Sequence, residues 1–233
     1  MNKLKIISNT VEFAKKTLEK SEGGHDWFHA QRVWNNTILI ANLEEVDSFV
    51  VELGALLHDI ADSKFYNGDE TVGPRMARNF LIEQKVTEEI ITHVEQIIKN
   101  ISFKGGNFEG IFNSPELNVV QDADRLDAIG AIGIARCFNY GGFKNRPMYN
   151  PEILPKMNMS KSEYKESKSP SINHFYEKLL LLKDKMNTKA GRQIAEERHN
   201  FMLRYLQQFY DEWNGNMNSI NNPNQRDTIH KSK

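Results

Sequence analysis

From Phe49 to Ala61 the chain is apolar on almost every side: Phe49-Val50-Val51, then Leu53-Gly54-Ala55-Leu56-Leu57, then Ile60-Ala61. A helix that is hydrophobic all round has no face to offer water and belongs at the centre of a fold. Asp47 precedes it as a natural N-cap. The rest of the chain supplies partners for it. Leu4, Ile7, Val11, Ala14 and Leu18 share one helical face, and Gly23-Gly24 ends that element. A second helix is predicted from near His25 or Asp26 through Ala41. Others are predicted from about Thr71 to Gln84 and from Thr87 to Lys99. Ser114, with Pro115 at the first helical position, starts one that runs to about Tyr140. Two more cover about Ser171 to Met186 and Lys189 to Trp213. No segment alternates as a strand does. The prediction is an all-α, single-domain fold over residues 1–214, with a flexible loop at 141–170 and a disordered tail at 215–233.

Composition removes several function classes. The chain of 233 residues carries 30 basic and 31 acidic side chains, a net charge of -1, so no basic field invites nucleic acid. Its one cysteine, Cys137, cannot pair internally or build a thiolate zinc site, and its core-like setting reads as packing. No run approaches the roughly 20 apolar residues of a membrane span. The charged start is not that of a secretion signal, and the reading is a cytoplasmic protein. Phosphate-cradling glycine loops are absent from the sequence.

Two places break the apolar pattern in the same way. His58-Asp59 ends the central run, where an unpaired carboxylate would cost several kcal/mol. Asp122, Asp124 and Asp127 interrupt another core-like helix, Val119 to Ile129. A divalent cation held between helices would answer both anomalies at once. Pairing of Asp59 with Arg32 or Arg125 would answer them separately. Spacing leaves Asp124 and Asp127 on one face, and Asp122 open to solvation.

The ordered set His29, His58-Asp59, Asp124 resembles the HD superfamily of metal-dependent phosphohydrolases. The flanks His25-Asp26-Trp27-Phe28-His29-Ala30-Gln31-Arg32-Val33, Leu56-Leu57-His58-Asp59-Ile60-Ala61-Asp62 and Gln121-Asp122-Ala123-Asp124-Arg125-Leu126 carry the resemblance. It implies a helical core with His29, His58, Asp59 and Asp124 as metal ligands. Such a mixed nitrogen and oxygen set suits Mn²⁺ or Mg²⁺ first, with Fe²⁺, Co²⁺ or Ni²⁺ as further options. The implied reaction is hydrolysis of a phosphoester or phosphoanhydride, with a nucleotide as the substrate and pyrophosphate release as one form of it.

Other residues take expected roles around that centre. Asp62, i+4 from His58, is the candidate catalytic carboxylate. Arg32, Lys64, Lys144 and Arg146 are candidate phosphate-binding residues. His93 and Asp127 are candidates for the layer behind the ligands. Two alternatives share or replace this chemistry: a phosphodiesterase for cyclic or alarmone nucleotides, and a non-enzymatic helical scaffold with a structural metal.

Overall fold

The computed structural model describes residues 1–19, 24–61, 66, 69–101, 112–160, 163 and 166–216. Every regular element within them is helical: α1 (Lys3–Leu18), α2 (Trp27–Ala41), α3 (Ser48–Leu57), α4 (Val72–Glu83), α5 (Glu88–Asn100), α6 (Pro115–Asp127), α7 (Gly130–Phe143), α8 (Asn173–Glu177), a 3₁₀ segment (Leu179–Lys185) and α9 (Lys189–Trp213). No helix among the described residues is long and apolar enough to cross a membrane.

The apolar run lies at the centre. Asp47 caps α3 by accepting from the Phe49 and Val50 amides. α1, α2, α5 and α6 pack around it, and α2 also lies along α6. The helix stops at Leu57, earlier than the apolar pattern suggests. His58 Nδ1 donates to the Ala55 carbonyl at 2.7 Å, so a side chain takes up one of the carbonyls left open at the helix end. The His58-Asp59 pair is thereby delivered at the terminus of a buried helix.

Two predicted helices are divided. The continuous helix expected from Ser114 to Tyr140 is α6 and α7, separated at Ala128 and Ile129. Ile129 is extended and Gly130 has φ +73°, a conformation in which glycine alone is unstrained. Arg198 of α9 donates to the Leu126 carbonyl at 2.6 Å, compensating the interrupted ladder. The expected helix from Ser171 to Met186 is α8 followed by the 3₁₀ segment, with Lys178 between them at φ -146° and ψ -57°.

Asp122 is not solvated. Its carboxylate is fully buried and accepts from the Asn187 and Thr188 amides, the Thr188 hydroxyl and Arg125. It fastens the start of α9 to α6. The segment after α7, read from sequence as a flexible loop, is tied at described points. The Ser171 and Ile172 amides donate to the Pro147 and Met148 carbonyls. Tyr149 packs edge-on against Phe209, Tyr210 and Trp213 of α9. The tail expected to be disordered lies outside the described residues from 217 onward.

Candidate metal centre

Three elements bring the site together. Asp26 caps α2 by accepting from the His29 amide at 2.9 Å, which sets His29 in the first turn. The end of α3 supplies His58 and Asp59, and the last turn of α6 supplies Asp124 and Asp127. His29 Nε2 lies 3.3 Å from His58 Nε2, 3.5 Å from Asp124 and 3.8 Å from Asp59. Two ligand atoms bonded to one ion at about 2.1 Å stand about 3.0–3.7 Å apart for angles of about 90–120°. His29, His58 and Asp124 therefore have the spacing of a coordination shell, and Asp59 stands at its edge.

Proton positions sharpen the case. His29 Nδ1 points at Asp127 Oδ2, 2.8 Å away, and His58 Nδ1 points at the Ala55 carbonyl. The carbonyl only accepts, so His58 Nδ1 carries the proton and its Nε2 presents a lone pair. At His29 Nδ1 the Asp127 carboxylate competes with the Arg136 Nη1 donor at 2.9 Å, and the contact to the carboxylate is the one that leaves Nε2 free to ligate. Two buried lone pairs then face one another across 3.3 Å with two carboxylates alongside. A cation between them is the arrangement that satisfies both imidazoles and Asp124, with Asp59 at its edge. Burial, helped by the neighbouring His58, pushes the His29 imidazole down to about 3, so it stays neutral and ready to ligate. Burial opposes the charge on Asp59. The hydrogen bond with His25 and the nearby imidazoles outweigh it, and the carboxyl is held below the usual carboxylate range.

Asp127 forms the layer behind His29. Its side chain is 2% exposed and receives Arg32 through Nε at 2.6 Å and Nη2 at 3.1 Å, together with Arg136 and His29. Arg32 is thus engaged with Asp127, and Arg125 with Asp122; the partner of Asp59 is His25. His93 does not join this group. Its Nε2 meets Ser114 Oγ at 2.9 Å, at the opposite end of α6 from Asp124. Lys144 and Arg146 stand by the end of α7, against the Tyr140 ring. Asp62 and Lys64 lie outside the described residues.

Two residues of the site were not singled out by the sequence reasoning. His25 contacts the Asp59 carboxylate from just before α2. Its signal was a second histidine four residues ahead of His29, but it precedes the helix cap, where helical spacing says nothing. Arg136 is a cation inside the apolar stretch of α7, the same anomaly that drew attention to Asp59. It reaches both Asp127 and the Gly24 carbonyl.

The comparisons agree with this geometry. A family model described as "HD domain" matches residues 27–129, which hold all four candidate ligands. The Bacillus subtilis protein YpgQ is 38% identical over 211 residues, covering 89% of this chain and 94% of that one. The chain belongs to the HD superfamily. A crystal structure of an HD-superfamily hydrolase from Bacillus thuringiensis superposes with a TM-score of 0.74 at 45% identity, covering 91% of this chain and 99% of that one. YpgQ solved in complex with ADP gives a TM-score of 0.70 at 34% identity, covering 91% and 97%.

Proposed function

We propose that this HD-superfamily protein is a divalent-metal-dependent phosphohydrolase whose substrates are nucleotides, acting as a nucleoside triphosphate pyrophosphohydrolase. The observation that carries the reading is the pair of Nε2 atoms of His29 and His58, 3.3 Å apart and beside Asp124. A hard or borderline dication suits two imidazoles with two carboxylates, which favours Mn²⁺ or Mg²⁺. Such an ion supplies Lewis acidity toward a phosphoryl group and acidifies water at neutral pH.

The chain's own residues do the rest. Asp127 holds His29 in the ligating tautomer. Arg136 and Lys178 lie close enough to Asp124 for their charges to act on one another, which makes the rim of the site attractive to a polyphosphate. Arg146 and Lys144, beside Tyr140, continue that cationic rim, and Arg32 contributes through Asp127. Tyr140 is four residues beyond Arg136, one helical turn or about 6 Å along α7. The residue is 48% exposed, and the part of its ring that Lys144 and Arg146 leave open offers a nucleobase a stacking face. The ADP complex of YpgQ supports a nucleotide as the ligand class. Asp62, outside the described residues, is retained as the candidate for proton transfer on its nearness in sequence to the His58-Asp59 pair.

The test is a hydrolysis screen of the purified chain on nucleoside mono-, di- and triphosphates and cyclic nucleotides with Mn²⁺, Mg²⁺, Co²⁺ and Ni²⁺. Released phosphate and pyrophosphate are scored separately, with His58→Ala as control. Metal-dependent pyrophosphate release from triphosphates, absent in the control, is the expected result. Activity confined to cyclic nucleotides would replace the reading with the phosphodiesterase one. Inactivity with every metal and substrate would overturn the enzyme.

A further inference from the structure

His25 has no assigned role, yet its position is built from three sides. Gly24 holds φ +114°, a backbone shape that a side chain would strain, and so turns the chain into α2. Arg136 Nη2 donates to the Gly24 carbonyl at 3.0 Å, while Asp26 on the other flank caps α2 through the His29 amide. The turn between these two ties presents the His25 imidazole to Asp59, with Nδ1 on Oδ2. Among the described residues the groups placed for a metal fall into two triads, His25-His29-Asp59 and His29-His58-Asp124, each with ligand atoms within 4.8 Å of one another. The triads share His29 alone. His25 therefore lies at the Asp59 edge of the centre rather than inside the His29-His58-Asp124 cluster.

We propose that His25 is a positioning residue: its Nδ1–H holds the Asp59 carboxylate at the edge of the His29-His58-Asp124 triad, doing for Asp59 what Asp127 does for His29. The physical need is specific. Arg136 is close enough to Asp59 for their charges to interact, a pull that competes with the ion for an untethered carboxylate. A carboxylate oxygen has room both to accept from an imidazole and to ligate a cation. Partners of this kind, behind the ligands, typically account for about 10- to 100-fold in metal affinity.

The inference rests on the divalent-metal reading of this site, and Mn²⁺ titration of the metal-free full-length protein separates the two. His25→Ala is expected to weaken Mn²⁺ binding about 10- to 100-fold. His25→Asn, whose amide nitrogen takes the place of Nδ1, is expected to restore most of that loss. His25→Gln, which places its amide nearer Nε2, is not. Gly24→Ala, which strains the turn and leaves every side chain of the site in place, should weaken binding in the same direction. Pulsed EPR of the Mn²⁺ form should show an unchanged number of bound imidazole nitrogens in His25→Ala. A loss of one imidazole signal would make His25 a ligand and overturn the proposal, as would wild-type affinity in His25→Ala or equal defects in the Asn and Gln variants. Wild-type protein that binds no Mn²⁺ at all would overturn the metal reading and this inference with it.

Discussion

Asp127 Oδ2 accepts from His29 Nδ1 at 2.8 Å, and the same carboxylate is closed off from solvent by two guanidiniums. One buried charge thus holds an imidazole, pairs with two arginines from α2 and α7, and joins the last turn of α6 to both. Asp127→Asn keeps the shape and removes the charge. It leaves Arg32 and Arg136 facing a neutral amide, and it can present an N–H to Nδ1 and shift the His29 proton to Nε2.

Two effects are expected from Asp127→Asn. Stability should fall by about 2–3 kcal/mol, less than the 3–5 of a fully buried pair, because the guanidiniums are 33% and 30% exposed and keep part of their hydration. Mn²⁺ affinity should fall about 10- to 100-fold. Denaturant unfolding of the metal-free protein checks the first, and calorimetric titration the second. A stability loss with wild-type Mn²⁺ affinity would mean that the tautomer is set by something other than Asp127.

Asp122 should behave oppositely. Its carboxylate serves the Asn187 and Thr188 amides and the Thr188 hydroxyl at 2.7–3.0 Å, on the α9 side of α6. Hydrogen bonds to a charged group contribute about 1.5–3 kcal/mol each. Asp122→Ala is therefore expected to cost about 3 kcal/mol or more in urea unfolding. Mn²⁺ affinity of the folded fraction should stay within about threefold of wild type, since no metal-site residue touches Asp122.

The aspartates of α6 and of the end of α3 show what a sequence can and cannot reveal. An acidic residue in an apolar helix announces that something must compensate it, and Asp122, Asp127 and Asp59 each have such partners, while Asp124 is 41% exposed beside His29. The nature of the compensation is a matter of which elements arrive from far away. Asp124 meets histidines more than 60 residues earlier, Asp127 meets Arg32 and Arg136, and Asp122 meets the start of α9. The central helix, the Asp47 cap and most helix starts were legible because they depend on local periodicity and capping. The break at Gly130 was not, because Ile129-Gly130-Ala131 keeps the apolar rhythm while Arg198 from α9 takes over a released carbonyl. The role of Arg32 was hidden for the same reason. Its bidentate partner lies 95 residues away.

The half-buried His174 gives the protein a stability that depends on pH. Burial, with Lys178 and Arg146 nearby, lowers its imidazole to about 4, against an ordinary value near 6.5. Between those values the unfolded chain holds a proton that the native state does not, so stability must rise with pH across pH 4–6.5 and be lost as pH falls. His174→Gln should reduce the slope in that window by up to about 1.4 kcal/mol per pH unit. His29, lowered in the same direction, keeps part of the dependence in the variant. Urea unfolding of the metal-free protein at half-unit intervals from pH 4.5 to 7.5 reads the difference. Parallel curves for wild type and His174→Gln would show that the imidazole is hydrated in the native state.

Metal should also act as a stabiliser that can be withdrawn. The ligands come from α2, α3 and α6, three helices that separate on unfolding, so an ion bound among them favours the native state by RT ln(1 + [L]/Kd). At free Mn²⁺ of about 100 times Kd this amounts to about 2.7 kcal/mol, a shift of about 5–11 °C in Tm for a chain of this size. A chelator should reverse it. His58→Ala removes one of the two facing Nε2 donors and should abolish the Mn²⁺-dependent shift, while the metal-free Tm changes only by the loss of packing and of the bond to the Ala55 carbonyl. Asp124→Asn, on a side chain that is 41% exposed, should abolish the shift with almost no change in the metal-free Tm. That pairing separates the two contributions. A Mn²⁺ shift that survives in both variants would place the ion elsewhere in the protein.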